Sequence, residues 1–125
     1  MIAETELIVE PLRLYMTNMH GWLVEKFHGS QFQEGIPDLY CIHPKYEPRW
    51  IECKVIRNGD IHFTPAQMKK FPKWIAHGVK IWLIAGHNFK YPHGTTELKY
   101  AYNTLFQPPN LAYYLDPVSR RNLLR

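Results

Sequence analysis

Residues 38–43 and 49–56 read as two strands, and the link between them, "PKYEP", is short enough for a hairpin. Both strand-like runs carry charge where a core strand would be apolar. Asp38 opens the first, and Glu52 and Lys54 interrupt the second. Side chains alternate along a strand. Ile51, Cys53 and Val55 therefore face one way, and Trp50, Glu52 and Lys54 the other. Asp38 shares a face with Tyr40, opposite to Leu39 and Cys41. A hairpin turning around Tyr46 sets residue 40 against 52 and residue 38 against 54. Asp38, Glu52 and Lys54 then gather on one face, and Cys41 and Cys53 meet in the core on the other.

The rest of the chain supplies layers for this hairpin. Pro11 suits a first helical turn, Leu12, Tyr15, Met16 and Met19 recur at helical spacing, and Gly21 stops the run, which gives a helix over 11–20. "WLVEKF" (22–27) reads as a strand and "HGSQFQEG" as a loop. "NGD" (58–60) is a turn, and "IHF" after it could extend a short strand. Thr64 as N-cap, Pro65 in the first turn and Gln67 three residues after the cap form a capping box. The helix they open carries Met68, Phe71 and Ile75 as its buried stripe, should kink or split at Pro72, and ends at Gly78. "VKIWLIAG" (79–86) is the clearest buried strand. "HNFKYPHG" reads as a loop, "TTELKYAYNTLF" as helix or strand, with helix favoured because Thr95 or Thr96 could cap it, "QPPN" as a linker, and "DPVSRRNLL" as a short helix capped by Asp116. The order α-β-β-β-α-β plus a tail describes a mixed α/β domain.

At 125 residues the chain is long enough for one domain with a real core. With 46% apolar and 14% aromatic residues it is globular rather than disordered. No apolar run nears the roughly 20 residues of a membrane span. The acidic start "MIAETELIVEP" does not resemble a signal peptide, so a cytoplasmic location is expected. The two cysteines form no CxxC and the seven histidines no HxxxH, which argues against structural zinc and for two buried thiols. The net charge of +4 and pI of about 9.1 suit a polyanion without requiring one.

Two carboxylates side by side repel unless a cation intervenes. A hard divalent ion takes oxygen ligands and removes that conflict. So held, it can polarise a phosphoryl oxygen and acidify a water, while a nearby lysine orients that water or steadies the charge growing on phosphate. The plain alternative is a solvated sheet face, with Glu52 and Lys54 as surface charges and Asp38 as a turn residue after Pro37. Neither E-x-K nor P-D alone decides between them.

The combination is more specific than its parts. Gly35-Ile36-Pro37-Asp38, then Glu52-Cys53-Lys54, then Thr64-Pro65-Ala66-Gln67 opening a helix, then "HGVKIWLI", all follow a glutamate at residue 10. In this order, over about residues 10–86, the chain resembles the PD-(D/E)xK nuclease superfamily. Within it, the VRR-NUC branch of small, Holliday-junction-resolvase-like phage and bacterial nucleases is most similar. The resemblance implies a restriction-endonuclease-like mixed β-sheet flanked by helices, with the nuclease core at 1–94 and a C-terminal extension at 95–125. It implies a Mg²⁺- or Mn²⁺-dependent DNA endonuclease selective for branched or nicked DNA, working as a homodimer. Asp38, Glu52 and the backbone carbonyl of Cys53 would ligate the metal, and Lys54 would position the attacking water. Gln67 would orient Lys54 or the scissile phosphate, a role its capping duty does not exclude. Glu10 would match the first-helix acid, with Glu6 and Glu4 as rivals. Lys26, Lys69, Lys70 and Lys73 would touch the phosphate backbone, or serve only as surface lysines. A non-catalytic nucleic-acid- or protein-binding module on the same fold is the competing expectation.

Overall fold

The computed structural model describes residues 5–27, 34–59, 61–88, 92–98, 100–101, 104–105 and 121–125. A π-helical turn, Thr5–Val9, runs into helix α1, Glu10–His20. Strands β1 (Leu23–Lys26), β2 (Leu39–Ile42) and β3 (Arg49–Val55) follow, then helix α2 (Pro65–Ala76), β4 (Ile81–Gly86) and β5 (Pro92–Glu97). These five strands form one mixed sheet in the order β1-β2-β3-β4-β5. Only the β3–β4 pair is parallel, and α2 makes the crossover that a parallel pair requires. Strands β6 (Tyr100–Ala101) and β7 (Thr104–Leu105) pair separately.

A helix covers each face of the sheet. Ile8, Val9, Leu12 and Met16 pack with Leu39, Cys41, Ile51, Cys53, Trp82 and Ile84. On the opposite face Phe71 of α2 packs with Ile81, Leu83 and Ala85, and Trp50 and Trp74 close the edge of that cluster. Every residue of β4 is buried, as expected of a strand covered on both sides. Both cysteines are buried, and neither is in a disulfide. Desolvation pushes the Cys41 thiol up to about 12. Arg49 also lies on the α1 face, although only 5% exposed. Its guanidinium donates to the carbonyls of Asn122 (2.9 Å), Leu123 (2.7 Å) and Glu47 (3.1 Å) and lies 4.8 Å from the Trp22 ring centre. Burial lowers its pKa, and the four carbonyl contacts through three residues are what make the buried cation tolerable.

Several expectations are corrected. The hairpin pairs Leu39 with Ile51, Tyr40 with Trp50 and Cys41 with Arg49, two residues from the expected register. Pro48 has no N–H for the ladder, so pairing begins at Arg49. A slip of two preserves every facing, because the side-chain period is two. Asp38 thus comes level with Glu52 rather than Lys54, and Cys41 faces Arg49 rather than Ile51. The first helical segment begins earlier, at Thr5. Pro11 offers no N–H and its ring crowds the carbonyl of Leu7, which accounts for a wide π turn there. Helix α2 continues through Pro72 as one element, with that ring buried among the core residues. Met68 is 39% exposed, and the buried stripe runs through Gln67, Phe71 and Pro72 instead.

Residues 92–97 are a strand, where the sequence predicts a loop up to residue 94 and favours helix over strand from residue 95. The β4 edge needs partners for its N–H and C=O groups, and that need outweighs a weak local capping signal. Strand β5 crosses the 94/95 boundary, so the sheet does not end there. Residues 61–64 form no strand. Residues 121–123 are helical, whereas the expected cap Asp116 lies outside the described residues. Among the described residues no helix is long and apolar enough to cross a membrane.

Candidate active site

Helix α2 explains where the charged residues of β3 sit. Glu52 and Lys54 pair with Leu83 and Ala85 of β4 and so point to the α2 face. Gln67 occupies the first position of the helix's buried stripe, where an apolar residue would be the ordinary choice. The three polar side chains meet between sheet and helix. Gln67 Nε2 donates to Glu52 Oε2 at 2.7 Å, and Lys54 Nζ donates to Gln67 Oε1 at 2.8 Å. Lys54 Nζ also lies 3.4 Å from Glu52 Oε2 and 5.1 Å from the Phe63 ring centre. Gln67 caps its own helix as well: its Oε1 accepts from Thr64 N–H (3.0 Å), and its N–H donates to Thr64 Oγ1 (3.1 Å). The donors fix the amide orientation. An ammonium and a backbone N–H can only face the oxygen, and a carboxylate only the NH₂ group.

Asp38 arrives from the other strand. Its Oδ2 accepts from the Cys53 N–H at 2.8 Å, so its carboxylate lands on the peptide that follows Glu52. β2 can no longer pair there, because residue 37 is proline. The Trp50 and Ile56 N–H groups donate to Lys80 and Gly86 carbonyls, so residues 50, 52, 54 and 56 direct their backbone groups towards β4. Cys53 directs its own towards β2. Its carbonyl therefore faces the same side as Asp38.

Gly35 holds the loop before Asp38 against α2. Its φ is +80°, and a Cβ there would lie 2.9 Å from the Ala66 carbonyl oxygen and 3.0 Å from Lys70 Cδ. Lys70 Nζ donates to the Glu34 carbonyl at 2.9 Å, which closes the same contact. The loop that carries Asp38 and the helix turn that carries Gln67 are thus one packed unit.

Asp38, Glu52, Lys54 and Gln67 are 6%, 2%, 8% and 8% exposed, which rules out a solvated charged face. Two of the three charged groups are carboxylates, and like charges brought together in a buried place are costly. The donors available are carboxylate and carbonyl oxygens, the set a hard divalent cation takes. Mg²⁺ or Mn²⁺ therefore fits Asp38, Glu52 and the Cys53 carbonyl. Among the described residues no three His, Cys, Asp or Glu side chains come together to hold a metal. Glu10 accordingly does not complete a three-acid cage. It binds Arg13 through two bonds of 2.9 and 3.0 Å, with Lys26 Nζ 4.0 Å away. The Arg13 hydrogen bond leads the effects that hold the Glu10 carboxyl below its ordinary value. Glu6 is exposed in the π turn, and Glu4 lies outside the described residues. Lys26, Lys69, Lys70 and Lys73 are exposed.

Two residues that alternation placed beside the acids, without giving them a role, do lie on the same sheet face. Tyr40 is two residues beyond Asp38 and pairs with Trp50, two residues before Glu52. Their rings are 4.7 Å apart. Strand alternation from the two acids was the available signal. Comparison with protein families, with curated proteins and with solved structures gives no match.

Proposed function

We propose that this chain is a metal-dependent DNA endonuclease of the PD-(D/E)xK type, similar to the VRR-NUC branch, with a restriction-endonuclease-like core. The observation that carries the reading is the buried Glu52–Gln67–Lys54 network, with Asp38 fastened one peptide away. A structural fold has little reason to bury two carboxylates and a lysine beneath a glutamine when apolar residues of like volume would cost less.

In this reading Asp38, Glu52 and the Cys53 carbonyl hold Mg²⁺ or Mn²⁺. That ion supplies Lewis-acid polarisation of the phosphate and acidification of a water. Gln67 holds Lys54 Nζ in one place by accepting a single N–H. The ammonium's other N–H groups orient the attacking water and stabilise negative charge growing on the phosphate. Glu52, beside Lys54, keeps that ammonium compensated while no substrate is present. Lys69, Lys70 and Lys73 on α2 meet the DNA backbone, and a homodimer presents two such sites to branched DNA.

The test is cleavage of labelled branched, nicked, single-stranded and duplex DNA with Mg²⁺ or Mn²⁺. Chelation abolishes cutting, and Asp38→Ala, Glu52→Ala and Lys54→Ala each lower it by at least about a hundredfold. Full activity of Lys54→Ala with metal present overturns the mechanism. One observation favours a second reading, a non-catalytic binding module: the carboxylate of Glu10, the expected first-helix acid, is engaged by Arg13. Such a module holds DNA equally well in chelator and never cuts it.

A further inference from the structure

The α2 face of the sheet is covered unevenly. Helix α2 packs over β4 and the edge of β3, whereas Leu23 and Ile42, paired across β1 and β2 on that face, are 58% and 36% exposed. Between this open area and the acidic site stand three rings. Trp50 lies 5.4 Å from Phe27 and 4.7 Å from Tyr40, centre to centre. Trp74 of α2 packs edge-on against Trp50 at 5.1 Å and fixes it in place. All three rings are partly exposed. A cavity of about 360 Å³ opens beside Tyr40 and Trp50, with Lys80 on its rim.

We infer that Phe27, Tyr40 and Trp50 form a stacking platform for unpaired DNA bases next to the scissile phosphate. This rests on the nuclease reading only for the word scissile. Tyr40 and Trp50 each stand two residues from a site carboxylate along their strands, about 7 Å. That is one or two nucleotides of single strand, so a strand whose phosphate reaches Asp38 and Glu52 sets a neighbouring base on these rings. Every base has a π-face, and rigid aromatic rings on an open sheet face are how proteins hold unpaired ones. The charges favour bases over phosphates on the rings themselves. Glu25 pairs with Tyr40 on this face and would repel a phosphate, but it can accept a hydrogen bond from a base amino group. On the cavity rim Lys80 is paired with Glu47 at 2.6 Å, so only the chain's overall net charge of +4 draws the backbone towards this face. Duplex DNA keeps its bases stacked on one another and cannot use the platform. The substrate class is therefore DNA with an unpaired strand at the cut, such as a flap, a gap or an open junction.

The experiment separates the platform from catalysis by working in EDTA, where no cleavage occurs. Binding of short oligo-dT, and of a blunt duplex of equal length, is followed by fluorescence anisotropy. A single 2-aminopurine in the strand reports stacking by its quenching. The intact protein binds the single strand more tightly than the duplex and quenches the probe. Tyr40→Ala and Trp50→Leu each weaken single-strand binding about five- to a hundredfold and abolish quenching, with duplex binding unchanged, and Tyr40→Phe restores both. Because Trp50 supports the core edge, Tyr40→Ala is the deciding variant, with its native circular dichroism verified. Equal affinity for strand and duplex, or a Tyr40→Ala protein that binds and quenches normally, overturns the platform. So does conversion of a dimer to monomers by Tyr40→Ala, which would make this face a self-interface. Absence of cutting on every DNA in Mg²⁺, with Tyr40-dependent single-strand binding intact, refutes the nuclease reading and leaves the platform standing.

Discussion

Replacing Gln67 by methionine tests whether this residue does more than cap a helix. Methionine matches glutamine in length, is a good helix former, and removes both polar ends without opening a cavity. Three side-chain hydrogen bonds vanish: to Glu52 (2.7 Å), from Lys54 (2.8 Å) and from Thr64 N–H (3.0 Å). A hydrogen bond to a charged group contributes about 1.5–3 kcal/mol and a neutral one about 1. Glu52 and Lys54 already lie 3.4 Å apart and recover part of the loss by closing on each other. The expected net loss is about 2–4 kcal/mol, roughly a 10 °C fall in Tm for a chain of this size. The comparison is Thr64→Ala, which removes only the cap acceptor for the Gln67 N–H and costs about 1 kcal/mol. Urea denaturation of both variants gives the difference, and a cycle with Lys54→Met isolates the Gln67–Lys54 coupling. Equal losses in the two variants, with no coupling to Lys54, would refute the bridging role and leave Gln67 as a cap.

Gly35→Ala destabilises by at least about 1–2 kcal/mol from its backbone alone, and more from the approach to Ala66; Gly59→Ala, with φ +76° and open space around it, is the control that shares only the first effect. Differential scanning calorimetry of the pair separates strain from collision. Cys41 stays a thiol when folded and ionises when unfolded near pH 9, so stability falls above pH 9 by up to about 1.4 kcal/mol per unit until about 12. Urea titrations at pH 8 and 10.5 on the intact protein and Cys41→Ala measure the slope, and native protein should resist thiol reagents. Glu10, held below its ordinary pKa by Arg13, contributes above pH 4.5 and loses that contribution as pH falls through its folded value. The pair is largely exposed, so Glu10→Gln costs only a few tenths of a kcal/mol at pH 7, and a larger loss of cleavage than of stability would give this acid a catalytic part.

What could be read from the sequence depended on which rules tolerate error. The facing of Asp38, Glu52 and Lys54 was legible because alternation survives a two-residue slip, whereas the register itself was not. Pro48 in "PKYEP" marks where pairing can begin, but nothing local reveals that Arg49 is buried there, because two of its partners are the carbonyls of residues 122 and 123. Gln67 was legible as a cap, and the resemblance implied a second task beside Lys54; its place in the buried stripe, where Met68 was expected, is visible only in the structure. Strand β5 was hidden because Thr95 and Thr96 read equally as helix caps; their burial against β4 is a long-range fact. Glu10 was placed correctly at the head of α1, but its nearest partner is three residues along the same helix.

Leu123 is 1% exposed within the same core as Ile8 and Trp22, and Arg49 grips the carbonyls of residues 122 and 123. A ribosome making this chain must release residue 123 before that core can close. The hairpin that carries Asp38 and Glu52 therefore emerges long before the contact that completes the α1-side core against which it packs.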